Sequence, residues 1–195
     1  GNNLIPLAMR PFMTPNLGAA VINAGGSFGS FSESLPYPHY DDPFDPGGSA
    51  EKSDLYRRKH NPAINWVNIT GRQVPEDKAR FLLPVSANLG FTNTHDPVDG
   101  KDYRGFAVDA KGNTIGYEQL PTVSIVMPNE QHNAHSNSIA AADAWLMIHI
   151  EPYADWARTY NSLLVVTFDE DGWTDASRGD PGRTGHDTIF TVFYG

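Results

Sequence analysis

Leu120-Pro121-Thr122-Val123-Ser124-Ile125-Val126-Met127 is a short apolar, β-branched run without polar alternation. Such a run predicts a strand covered on both faces. From Ser138 to Tyr160, Ile139, Ala142, Leu146, Ile150, Tyr153, Trp156, Ala157 and Tyr160 recur at three- and four-residue spacing, which is helical. Pro152 interrupts that pattern and fits the first turn of a second helix better than a helix interior, where its ring would clash with the preceding turn. SLLVVTF at 162–168 predicts a second buried strand, and TIFTVFY at 188–194 a third. Strand, crossover helices and strand make a βαβ unit, so the economical architecture is α/β, a mainly parallel sheet with helices on both faces. In such sheets chemistry gathers where strands end at their carboxyl edge.

Working back toward the amino end, Pro15 and Asn16 are start signals for a short helix that Gly25-Gly26 ends. Residues 27–35 then read as a strand. Residues 37–54 (YPHYDDPFDPGGSAEKSD) hold three prolines, two glycines and little apolar content, and predict an excursion over the surface. Within 90–119, Asp99-Gly100 and Lys111-Gly112-Asn113 are turn signals between short runs at 103–108 and 114–117, which predicts a hairpin inserted at the surface. The chain is expected to be one domain over 1–195 carrying these two insertions.

The composition narrows the function classes. A net charge of −9 over 195 residues leaves no basic stripe that would collect many phosphates, which argues against nucleic acid as a partner. With no cysteine there are no disulfides, thiolate metal sites or cysteine nucleophiles. No apolar run approaches the roughly 18 residues that span a bilayer, so stable membrane insertion is not expected. Eighteen glycines and 15 prolines make the chain rich in turns, while 39% hydrophobic residues suffice for a core.

Four short stretches can carry chemistry. The strand at 162–168 runs into Asp169-Glu170-Asp171-Gly172, whose carboxylates repel one another. Either a divalent cation holds them ionised or an acidic turn solvates the strand end. After the strand at 120–127 comes Pro128-Asn129-Glu130-Gln131-His132-Asn133-Ala134-His135-Ser136-Asn137, a polar loop entering a helix. An anion can dock there beside either histidine, or the polar residues only cap the helix. Tyr56-Arg57-Arg58-Lys59-His60-Asn61-Pro62 gathers cations able to orient phosphate oxygens, although a solvated face is the plainer reading of its three basic residues. Ser32-Glu33-Ser34-Leu35-Pro36 sets one carboxylate at a strand end, where a cap or turn role is the simpler one. Asp41, Asp42 and Asp45 read as a solvated acidic loop. His186 and Asp187 precede the last strand and suit at most a supporting place beside a metal.

Taken in order, SFSESLP at 30–36, YRRKHNP at 56–62, LPTVSIVMPNEQHNAHSNSIAAADAWL at 120–146 and NSLLVVTFDED at 161–171 resemble the phosphoesterase family of bacterial acid phosphatases and phospholipases C. TPNLG at 14–18 and the closing IFTVFYG extend the resemblance over nearly the whole chain. It implies an alkaline-phosphatase-like, three-layer α/β/α sandwich that hydrolyses phosphate esters at a divalent metal ion. On that resemblance Asp169 and Glu170 match the metal-binding acidic pair, and His60 and His135 match the two histidines that face the bound phosphate. The hydroxyl that attacks phosphorus would be metal-activated, with the histidines stabilising equatorial oxygens or protonating the leaving group.

The family's first metal motif and its Ser or Thr nucleophile have no counterpart in residues 1–13, so the chain is expected to be a fragment lacking the N-terminal strands. His135 is followed by Ser136 where the family commonly has an acidic residue. The expected protein is a secreted or periplasmic phosphomonoesterase acting on a small phosphate ester. The alternatives are a phosphodiesterase or phospholipase C, and a non-catalytic binding module that keeps the fold.

Overall fold

The computed structural model describes residues 5–49, 55–135, 137–169 and 189–195. It divides into two compact units, Gly1–Asp143 and Ala144–Gly195.

The first unit is built on three parallel strands. Helix α1 (Leu17–Asn23) starts where the sequence places it: the Asn16 side chain accepts the Ala19 N–H, and Gly25 follows with φ +86°. Strand β1 (Phe28–Ser32) follows and is buried throughout. Gly18 lets α1 lie close to it, since a Cβ there would stand 2.7 Å from Phe28 Cδ1. The chain then passes through a short helix α2 (Glu76–Ala79) to strand β2 (Asn88–Gly90). Strands β3 (Thr94–Asp96) and β4 (Lys101–Tyr103) form an antiparallel hairpin around Asp99-Gly100. Strand β5 (Val123–Met127) returns to the first sheet, whose order is β2-β1-β5 with both pairings parallel.

Side chains three apart on a strand point to opposite faces. Phe28 packs with Ala19, Ala63, Val67, Leu83 and Ala87 on one face. Phe31, on the other, meets Phe106 edge-on at 5.5 Å, and Phe106 stacks on Phe91 at 5.5 Å. The 90–119 insertion is therefore anchored in the core by Phe106 rather than lying wholly on the surface. Both turn signals are used: Asp99-Gly100 turns β3 into β4, and around Lys111-Gly112-Asn113 Val108 bridges Thr114 antiparallel.

The division between the units falls within α3 (Ile139–His149), which is followed by α4 (Glu151–Ala157) with Pro152 in its first turn. In the second unit, Trp145, Ile150 and Ala157 are buried, whereas Tyr160, expected on the apolar stripe, is exposed; in the first unit Ile139, at the start of α3, is exposed as well. Strands β6 (Leu164–Thr167) and β7 (Thr191–Tyr194) pair with each other, antiparallel, Leu164 opposite Tyr194. This one pairing departs from the mainly parallel sheet expected: a short apolar, β-branched run is compatible with either direction of pairing, and its sequence does not name the partner. Both strands were also expected to be buried, but β6 alternates half-buried and exposed residues and β7 is exposed. A mixed α/β fold with a parallel sheet and helices is the result.

Candidate functional site

Because β1, β2 and β5 are parallel, their carboxyl ends share one edge, and the polar loops leave from it. The Glu33 N–H donates to Met127 O at 2.8 Å, and the Phe91 N–H donates to Ser32 O at 3.1 Å, so the three exits are stitched together. Beyond them lies a small cleft lined by Ser32, Glu33, Tyr56, Arg57, His60 and Asn129 among others.

Two acid–imidazole pairs stand at this edge. Glu33 accepts the Asn129 N–H at 2.9 Å, and its carboxylate lies 3.0 Å from His132 Nδ1. Asn129 fixes the loop from within: its Oδ1 accepts the Gln131 N–H at 2.9 Å and its Nδ2 donates to Ser34 Oγ at 3.1 Å. Ser34 adopts φ 62°, a left-handed conformation that serine rarely takes, stabilised here by the contacts on either side. The second pair is His60 Nδ1 to Glu130 Oε1 at 3.1 Å; Arg57 Nε reaches Glu130 Oε2 at 3.0 Å. Glu130 is 2% exposed, and its own N–H donates to Leu55 O, which ties the 55–61 segment to the end of β5.

The basic block thus separates into distinct roles. Arg57 faces Glu130, whereas Arg58 is buried and donates to the Asp41 carbonyl at 2.5 Å. The solvated face expected for these arginines is not formed. The cause lies in the acidic loop, also expected to be solvated: Asp41 is ion-paired with Arg10 and stands 3.7 Å from Arg58. Asn61 is buried, donating to Asn88 Oδ1 at 2.7 Å and to Tyr56 Oη at 3.3 Å while its Oδ1 accepts the Ala63 N–H. Burial pushes the Tyr56 hydroxyl up, so it stays protonated.

Of the residues singled out in the sequence, His60 lines this cleft and His135 is exposed on the loop after β5, its N–H donating to Asn133 Oδ1. The imidazole joined to the β1 exit is His132. Asp169 is exposed just after β6, its carboxylate chemically suited to a hard cation. Glu170, Asp171, His186 and Asp187 lie outside the described residues. Glu33, Asn129, Glu130 and His132 are brought together by the fold. Their signal in the sequence is position alone, Glu33 near the end of the strand predicted at 27–35 and the other three just past the strand predicted at 120–127.

A third cluster, His39, Asp96 and Asp99, brings one ligand atom from each within 4.8 Å of one another. These atoms already have protein donors. Asp96 Oδ2 accepts the His39 N–H and lies 2.6 Å from its Nδ1, and Asp99 Oδ2 accepts from Lys101 Nζ and Tyr103 Oη. An ammonium beside the carboxylate does the work a cation would do, so the cluster reads as a clasp between the 37–40 segment and the hairpin.

The profile of the Phosphoesterase family matches residues 91–185. The chain is 34% identical over 181 residues to a phosphatidylinositol-3-phosphatase of Mycobacterium tuberculosis (strain ATCC 25618 / H37Rv), a match covering 93% of this chain and 44% of that protein. The chain therefore spans less than half the length of that relative. No solved structure matches it.

Proposed function

We propose, from the match of residues 91–185 to the phosphoesterase family, that the chain is part of a hydrolase of phosphate monoesters whose phosphate is received at the β1/β5 edge. The single observation that carries this reading is the union, in one cleft, of Arg57 and His60 with a carboxylate, Glu33, that holds a second imidazole. Arg57 supplies a fork of donors for phosphoryl oxygens. His60 is placed to stabilise charge or to give a proton to a leaving oxygen. His135, exposed beside this loop, stays a candidate for the same work.

A divalent metal ion belongs to this proposal: Asp169 and Glu170 would hold it, and when bound it would neutralise phosphoryl charge and activate a water. The alkaline-phosphatase-like three-layer sandwich, a single domain over 1–195 and a secreted or periplasmic location are parts of the same reading. The family match at 91–185 runs through both compact units, which supports treating them as one domain. The relative's name, that of a phosphatase acting on a phosphorylated inositol lipid, favours a monoester over a diester.

The test is phosphate release from an aryl phosphomonoester by the full-length gene product, from acidic to neutral pH, with and without a chelator. Chelator-sensitive release that Asp169→Asn abolishes is the expected outcome. Release that survives both treatments would remove the metal from the reading, and a folded enzyme that cleaves only a phosphocholine diester would replace the monoesterase with a diesterase.

A further inference from the structure

We infer that Ser32 is a ligand-binding residue of the cleft: its hydroxyl, buried and without a hydrogen-bond partner among the described residues, is placed to donate to an oxygen of a bound phosphate. The identity of the ligand rests on the phosphoesterase reading above; the unpartnered hydroxyl does not.

Ser32 ends β1, the middle strand of the β2-β1-β5 sheet, and its backbone is fixed from both sides. It stands opposite Gly90 of β2 and Met127 of β5, and its carbonyl accepts the Phe91 N–H at 3.1 Å and the Leu35 N–H at 3.3 Å. The side chain is what the fold leaves unused: Ser32 is 3% exposed, and its Oγ finds neither donor nor acceptor among the described residues. The other uncharged polar side chains of the cleft are engaged. Asn61 Nδ2 donates to Asn88 Oδ1 and to Tyr56 Oη, and Asn129 Nδ2 donates to Ser34 Oγ.

A buried hydroxyl gives up its bonds to water on folding, and without replacement that loss costs free energy. A ligand entering the cleft replaces those bonds. Arg57 and His60 line the same cleft, and a hydroxyl in their company adds a neutral donor, a set that suits an oxyanion with several acceptor oxygens. The Glu33 carboxylate, which also lines the cleft, already takes the Asn129 N–H and faces the His132 imidazole. Because Ser32 sits on a paired strand end, little ordering is needed when the anion binds.

A hydroxyl that served the fold would cost stability when removed. One that waits for a ligand leaves stability unchanged or raises it while weakening the ligand, and a packing role does not produce those two effects together. The experiment is calorimetric titration of the full-length gene product with inorganic phosphate, beside urea unfolding, for the wild type, Ser32→Ala and Ser30→Ala. Ser30 is the control: it lies two residues earlier on the same face of β1, is 0% exposed and has an Oγ likewise without a partner among the described residues, but it is not among the residues lining the cleft. Ser32→Ala should raise the phosphate Kd by roughly three- to tenfold with a urea midpoint at or above that of the wild type, and Ser30→Ala should leave the Kd unchanged. A wild-type Kd in Ser32→Ala, an equal rise in Ser30→Ala, or a lowered midpoint in Ser32→Ala overturns the assignment, the last by showing that the fold already holds the hydroxyl. Turnover of an aryl phosphomonoester separates this inference from the reading it rests on. A protein that releases phosphate while Ser32→Ala keeps the wild-type Kd loses the role of Ser32 and keeps the phosphoesterase reading. One that binds phosphate through Ser32 yet cleaves no phosphoester keeps the role and overturns that reading instead, and a wild type that binds no phosphate overturns the role whatever it cleaves.

Discussion

The carboxylate of Glu33 stands 3.0 Å from Nδ1 of His132, 99 residues further along the chain. The sheet brings them together: β1 and β5 are parallel neighbours with Ser32 opposite Met127, so the residues just beyond each end emerge side by side. Glu33 also takes the Asn129 N–H, which makes it the joint between the two exits. Glu33→Ala leaves both groups without their acceptor and should cost about 1–3 kcal/mol in urea unfolding. Turnover of a phosphomonoester should fall by roughly 100-fold as His132 loses its orientation. Glu33→Gln, which still accepts, should recover most of the stability and less of the turnover; wild-type turnover in folded Glu33→Ala would put His132 outside the reaction.

His60 and Asn61 are adjacent in sequence and should fail differently. Asn61 is 2% exposed and satisfies Asn88, Tyr56 and two backbone N–H groups. Asn61→Ala should lower stability by about 1–3 kcal/mol, because buried partners are left unpaired. His60→Asn, at a half-buried cleft position, should retain the melting behaviour of the parent while losing turnover. Comparing the two variants by thermal unfolding and by steady-state kinetics separates the fold residue from the site residue. Equal losses of stability in both would show that the cleft face of His60 is part of the core.

The hairpin carries a pH signature of its own. The Tyr103 hydroxyl, donating at 2.7 Å, and then the Lys101 ammonium hold the Asp99 carboxyl down at about 2 from an ordinary 3.8. Tyr103 is pushed up to about 12, first by burial and then by the Asp99 bond. A depressed acid contributes stability that is fully present above its ordinary value and lost as pH falls through about 2; a raised phenol contributes stability present below 10 and lost as pH rises through about 12. The hairpin clasp should therefore be intact across the whole neutral range. An NMR titration of the Asp99 carboxyl should give a midpoint near 2 that moves back toward 3.8 in Tyr103→Phe; an unmoved midpoint would mean the hydroxyl is not its main partner.

What the sequence made legible follows from how local each signal is. Asn16 capping α1, Pro152 opening α4 and Asp99-Gly100 turning the hairpin are decided within a few residues, and all three stand where they were read. The pairing of β6 with β7 is not local, since β-branched residues suit either direction and nothing in 162–168 names a neighbour. The site shows the same division. His60 was picked out from its block and lines the cleft, and the family resemblance was legible from four blocks in order, as the match at 91–185 and the 34% identity over 181 residues bear out. Glu130 and His132 were lost among neighbours of equal chemistry, and only the register of β1 against β5 distinguishes them. The arginines were misread because the Asp41 that buries Arg58 is 17 residues away, in a loop that reads as solvent-exposed.

Gly105 is the place where the 90–119 insertion closes back onto its own first residues. Its N–H donates to Val108 O, and a Cβ there would stand 2.5 Å from Phe91 O and 2.6 Å from the Thr92 carbonyl carbon. Those atoms are backbone and cannot swing aside as a flexible side chain would. The next residue, Phe106, donates its N–H to Phe91 O, and Phe91 in turn donates to Ser32 O at the cleft. Gly105→Ala should therefore destabilise the protein by about 1–3 kcal/mol through overpacking. The displacement should pass through Phe91 to the β1 exit, so amide resonances of Ser32 and Glu33 should shift with those of the hairpin. The control is Gly100→Ala, at a turn with φ +71° and nothing within 4 Å of the added Cβ. That variant pays only the left-handed backbone cost of roughly 1–2 kcal/mol and should leave the Ser32 and Glu33 amides in place. If Gly105→Ala leaves them in place as well, the insertion is anchored in the core without being coupled to the cleft.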